Sequence, residues 1–228
     1  MSSKFIIIRV LLFVLLVVGT TSAMIAQDND FATWTKFKVN HKIDSRFAVS
    51  GDLELRTEDD MSAIDRWGIS VGGDYRAFSF LKFEIGYETH YRNLGEIGWK
   101  FRHRYRIGAT ASFRYQWLKM SLRERFQQTF DRGESETRLR SRLKLGYAPQ
   151  KGIVSPYFSI EIYQSLDDAP FWRTARLRYR PGIEIDLTKR WSLDAFYCYQ
   201  YESSRGKHIA GVQTILPWAS PKVDKIYS

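Results

Sequence analysis

The chain has 228 residues, enough for one domain with its own core, and 35 lysines and arginines outnumber 25 acids to give a formal charge of +10. Aromatic residues are 15% of it, a high share. One cysteine, Cys198, excludes an intramolecular disulfide and any zinc site of the multi-cysteine type.

In chain order, the first element is a leader. Lys4 and Arg9 flank the apolar run Phe5 to Val18, and the small residues "GTTSA" follow. A charged n-region, a short apolar stretch and a small-residue exit predict a secretory signal peptide over 1–26, cleaved near 23–26, and so an exported protein. The run is too short and wrongly flanked for a membrane anchor, and no cysteine at the exit suggests lipoprotein processing. Losing Lys4 and Arg9 takes the formal charge from +10 to +8, so the mature chain stays basic.

From there the chain alternates. In "WKFRHRYRIGATASFRY", Trp99, Phe101, Tyr105, Ile107 and Phe113 fall on one parity and Lys100, Arg102, Arg104, Arg106 and Arg114 on the other. The same period of two recurs, for example in Leu81, Phe83, Ile85, Tyr87 and Tyr91 against Lys82, Glu84, Glu88 and Arg92. Such alternation marks strands, not helices. Eleven are predicted: 31–43, 46–57, 65–78, 80–92, 99–115, 118–130, 137–147, 153–164, 172–187, 191–202 and 207–217. They form an all-β barrel domain over 27–217, with 218–228 as a C-terminal tail.

Short connections ("DS", "FSF", "QW", "APQKG", "TKR") alternate with longer polar ones ("EDDMSAI", "NLGEIG", "DRGESE", "SLDDAPF", "SSRGK"). That is the layout of an antiparallel up-and-down barrel of about 10–12 strands, with short turns facing the periplasm. Alternation alone does not say which face is inside. A lipocalin-like barrel turns the apolar face inward, a transmembrane barrel outward. Three features favour the transmembrane form with a polar lumen. The strands are long enough for a tilted crossing. Aromatics gather at the strand ends on the apolar parity: Trp67, Tyr91, Trp99 and Tyr201 toward the long loops, Tyr115, Trp117, Tyr147 and Trp191 toward the short turns. Glycines (Gly68, Gly72, Gly86, Gly108, Gly146, Gly182) fall on the polar parity, where a narrow lumen is crowded.

The mature start "QDNDFATWTKFKVNHKI", the strand "GDLELRTED" and the hairpins ending in "HYR" and "RHRYR" resemble a domain-of-unknown-function family of predicted outer-membrane barrels of Gram-negative bacteria. The resemblance implies the fold and an outer-membrane location, and it brings no catalytic residues. Single-chain bacterial barrels ordinarily have an even strand number. An odd count predicts that a strand is split or missed, or that one terminal segment stays out of the wall.

On the lumen parity, a basic wall is expected from Lys100, Arg102, Arg104, Arg106, Arg114, Lys119, Arg123, Arg125, Arg138, Arg140, Arg142 and Lys144, joined by Arg176, Arg178 and Arg180. Acids to meet it are expected from other strands: Asp52, Glu54, Glu84, Glu88, Asp194 and Glu202. Paired across a narrow interior, these make a structural or small-pore barrel. Left open, the same arginines make an anion-selective passage or a binder of small anions or anionic solutes. A lipid-modifying barrel enzyme is a third alternative. His103 and His208 lie on the apolar parity near the long-loop end, His90 points inward, and Glu124 interrupts the apolar face, but no "GxSxG" or "HExxH" occurs. The expectation is a non-enzyme with no cofactor and no metal, in contact with outer-membrane lipid. Nucleic acid is not an expected partner, because leader and face separation argue against it.

Overall fold

The computed structural model of the protein describes residues 30–131, 133–147, 152–167, 172–188, 191–202 and 205–218. The predicted signal peptide and all but the first residue of the predicted tail lie outside them. Eleven strands are present: β1 (Asp30–Lys42), β2 (Phe47–Glu58), β3 (Ala63–Arg76), β4 (Leu81–Asn93), β5 (Trp99–Tyr115), β6 (Leu118–Asp131), β7 (Glu134–Tyr147), β8 (Val154–Ser165), β9 (Arg173–Asp186), β10 (Ser192–Glu202) and β11 (Arg205–Trp218). Each predicted strand has its counterpart, and most ends agree within two residues.

Each strand pairs antiparallel with the next, and β1 closes the barrel on β11. That last pairing is parallel, running from Asp30 opposite Lys207 to His41 opposite Trp218. With an odd number of strands that alternate in direction, the first and last run the same way, so closure has no other geometry. The expectation that a strand is missed, or that a terminal segment stays out of the wall, is therefore corrected: all eleven strands join, and β11 takes in Trp218, the first residue assigned to the tail.

The short–long alternation of connections is also corrected. By the strand bounds, the residues between strands are 43–46, 77–80, 116–117, 148–153 and 187–191 at one end and 59–62, 94–98, 132–133, 166–172 and 203–204 at the other. Of the polar stretches "EDDMSAI", "DRGESE" and "SSRGK", Glu58, Ala63, Ile64, Asp131, Glu134–Glu136 and Arg205–Lys207 belong to strand ends, whose backbone pairing is indifferent to side-chain polarity. Asp59, Asp60 and Met61 turn the β2–β3 hairpin with positive φ. In the β1–β2 turn, the Asp44 carboxylate accepts the N–H groups of Phe47 (2.7 Å) and Arg46 (2.6 Å). Those bonds, Phe47 first, hold its carboxyl below the usual carboxylate range.

The faces are inverted relative to a water-soluble barrel. Ile85, Ile107, Phe126 and Leu139 are register partners across β4–β7 on the outer face, and Ile85 is 65% exposed. Trp67, Tyr91, Trp99, Tyr115, Trp117, Tyr147, Trp191 and Tyr201 are all exposed. Trp67 stacks on Tyr91 at one rim (5.1 Å between ring centroids), and Trp117 meets Tyr147 at the other (5.9 Å).

The crowding that the glycines foreshadow is real. A Cβ at Gly182 would stand 2.6 Å from the Tyr157 hydroxyl, whose ring roofs the gap. Inside the seam, Ala32, Cys198 and Ile209 are fully buried, with Trp34 and Phe196 packed against them.

Candidate functional site: a charged lumen

The inward parity of the strands delivers a dense set of ion pairs to the interior. Its centre is Glu161 on β8. Arg140 on β7 reaches Glu161 Oε2 at 2.7 Å, Arg123 on β6 reaches Oε1 at 3.2 Å, and Arg178 on β9 lies 3.5 Å from Oε2. The Tyr163 hydroxyl donates to the same carboxylate at 3.0 Å. Arg178 is fixed further by a bond from its Nε to Gln200 Oε1 (2.8 Å). Glu161 is 6% exposed, Arg178 5% and Tyr163 2%. Three guanidinium groups from three strands share one carboxylate in a space that water barely reaches.

Other pairs extend the network around the wall. Glu88 lies within 3.4 Å of Arg104 and Arg106, and Glu84 accepts from Arg125 at 2.6 Å. Glu54 pairs with Arg56 (2.7 Å) and Lys36 (3.2 Å), and Lys36 also reaches Asp52 at 3.0 Å. Asp194 holds Arg180 at 2.6 Å and accepts the Tyr157 hydroxyl at 2.6 Å. Glu202 accepts from Arg176 at 2.6 Å, and Lys144 pairs with Glu184. Trp34 of β1 is flanked by Arg56 (4.0 Å to the ring centroid) and Arg178 (4.6 Å), which ties the seam to the arginine cluster.

Asp52, Glu54, Glu84, Glu88, Asp194 and Glu202 each have a basic or tyrosine partner. Of the basic wall, Arg114 and Lys119 are not enclosed. Both are exposed where the β5–β6 hairpin projects past β4, and Arg114 donates to the Gln116 carbonyl at 3.5 Å. The expectation that no acid from β5–β7 accompanies the arginines is corrected as well. Asp131 pairs with Arg102 at 2.5 Å, and Glu136 pairs with Arg138.

Besides Glu184, Asp131 and Glu136, two buried acids lie outside the expected set, Glu161 and Asp65. Glu161 was hidden because "SPYFSIEIYQ" carries aromatics on both parities: Tyr157 and Tyr163 point in, Phe158 points out. Asp65 sits at a register shift between β2 and β3, where the extra residue turns inward to pair with Arg66 (2.9 Å) and Arg92 (3.0 Å). A bulge of that kind breaks the period of two on which the reading depended.

His90 is inward and 2% exposed, 3.6 Å from Glu88. His103 stacks on Phe130 (5.1 Å), and His208 lies against Tyr197 and Tyr199. Cys198 is inward and buried. Glu124 faces outward and accepts the Ser141 hydroxyl at 2.6 Å.

No curated protein matches the chain. Among solved structures, it is similar to the translocator domain of the autotransporter NalP from Neisseria meningitidis, at 16% identity and a TM-score of 0.47, over 74% of this chain and 73% of that one. The family model described as "Protein of unknown function (DUF2490)" matches residues 31–209, from the first strand into the eleventh. The chain therefore belongs to the DUF2490 family.

Proposed function

We propose that the protein is an integral barrel of the bacterial outer membrane, closed through its waist by paired charges. Its role is structural, not that of an open porin or an enzyme. One contrast carries this reading: Ile85 on the outer face is 65% exposed, while Glu161 in the lumen is 6% exposed. Lipid favours an apolar exterior and interfacial aromatics. The burial of that central carboxylate favours an interior without a wide aqueous path. Membrane lipid is the partner in this reading. Nucleic acid is not, because most arginines of the basic wall are turned inward, out of a strand's reach. Enzyme chemistry is disfavoured by the packing of His103 and His208 among rings, and by the arginine-walled setting of His90.

The direct test is tryptophan fluorescence of the full protein in liposomes that contain brominated lipids. Trp67, Trp99, Trp117 and Trp191, exposed on the outer face, should be quenched strongly. A protein that stays soluble without detergent and shows no quenching overturns the reading. A lipid-hydrolysis assay with purified protein should give no turnover, and sustained turnover would move the protein to the enzyme class.

A further inference from the structure

Arg142 stands out within the network. It lies on β7 with Arg123 opposite on β6 and Glu161 opposite on β8. Among the described residues it forms no ion pair within 4 Å, because Arg140, Arg123 and Arg178 already occupy the Glu161 carboxylate. The Nε donors of Arg123, Arg140 and Arg142 are all buried and have no acceptor. Buried guanidinium donors without acceptors are costly, and here Arg123 and Arg142 are register partners while Arg140 is next on the inward parity of β7. Lys144, next on the inward parity of β7, is itself paired with Glu184. Ser159, buried and opposite Lys144, offers a hydroxyl.

We infer that this group of arginines is a binding site for a small oxyanion, held chiefly by Arg142 with Arg123 and Arg140. Guanidinium groups match the planar edges of sulfate, phosphate and carboxylate oxygens and bind them in pairs of parallel hydrogen bonds. A bound oxyanion supplies the missing acceptors and offsets the repulsion among cations that Glu161 alone does not balance. The site is on the side of the Glu161 cluster toward Tyr147, so its ligand enters from the mouth that carries the Gln116–Trp117 turn. The inference rests on the lumen placement of these arginines, and it deepens the closed-barrel reading by giving the interior a ligand.

The test is calorimetric titration of the refolded full-length protein in detergent with sodium sulfate and inorganic phosphate, at constant ionic strength. Wild type should bind one oxyanion saturably. Arg142→Gln should weaken binding by about tenfold or more. Lys42→Gln, at an exposed rim position, should bind as wild type does. Arg142→Lys keeps the charge but loses the fork and should also bind more weakly, which serves if the glutamine variant does not fold. Melting of the wild type provides a second readout, since a specific ligand raises the midpoint progressively with concentration above its dissociation constant. Absence of binding, or binding unchanged in both Arg142 variants, overturns the site and leaves those Nε groups to water. The closed-barrel reading is judged separately by conductance, so the two can fail independently.

Discussion

Arg140 Nη2 lies 2.7 Å from Glu161 Oε2, a contact between neighbouring strands that anchors a cluster drawing on four. Arg123, Arg140 and Arg178 depend on one carboxylate, and that carboxylate is buried. Removing one member of a buried pair typically costs about 3–5 kcal/mol, because the partner charge is left without compensation. Glu161→Gln keeps the shape and removes the charge. It should lower the urea midpoint of unfolding in detergent by a corresponding margin. An unchanged midpoint would show that the three arginines are hydrated and the lumen open at that level.

The outer face gives a second prediction. Ile107 is 57% exposed on the apolar parity, with Ile85 and Phe126 as register partners. Ile107→Arg should impair assembly, since a mid-bilayer arginine on the lipid face costs about 2–4 kcal/mol. Ser112→Arg, at an exposed position of the opposite parity, should assemble normally. The yield of heat-modifiable folded barrel on gels distinguishes the two. Reversed sensitivities would mean that the apolar face does not meet lipid.

Gly182 and Tyr157 provide a third. A methyl at Gly182 would collide with the Tyr157 ring, and the hydroxyl of that ring is held by Asp194 and Arg180. Gly182→Ala should destabilise the barrel. Tyr157→Ala should remove most of the extra penalty in the double variant, a coupling that a two-by-two cycle measures. Additive effects would show that the ring moves aside freely.

Topology is testable by labelling. The Gly95–Ile97 helical turn and the Asp59–Met61 turn lie at one end of the barrel and residues 77–80 and 116–117 at the other, and the prediction places the first end outside the cell. On a Cys198→Ala background, Met61→Cys and Glu134→Cys should react with an impermeant maleimide on intact cells. Gln116→Cys and Phe80→Cys should react only after the outer membrane is opened. The opposite pattern would invert the barrel.

Most of the fold was readable in the sequence because a wall with one apolar and one polar face imposes a strict period of two. The runs around Ile107 and Leu143 gave strand, face and rim together. Reading failed where that period fails. At Asp65 an extra residue shifts the parity. In β8, Tyr157 and Tyr163 enter the lumen as hydrogen-bond donors and cation-facing rings, so aromaticity no longer marks the outside. Loop lengths misled because Glu134 and Arg205, polar as they are, pair as strand ends above the apolar band. The pairing of individual charges depends on how far each side chain reaches between non-adjacent strands, as from Arg125 to Glu84. Alternation does not encode that reach.

The most direct measurement of the central claim is the conductance of the purified wild-type barrel in planar bilayers at neutral pH. A waist closed by Glu161 and its three arginines predicts no steady current above the bare-membrane level. A stable ohmic step, with a reversal potential displaced by a salt gradient, would contradict a closed lumen and make the arginine wall the lining of an open channel.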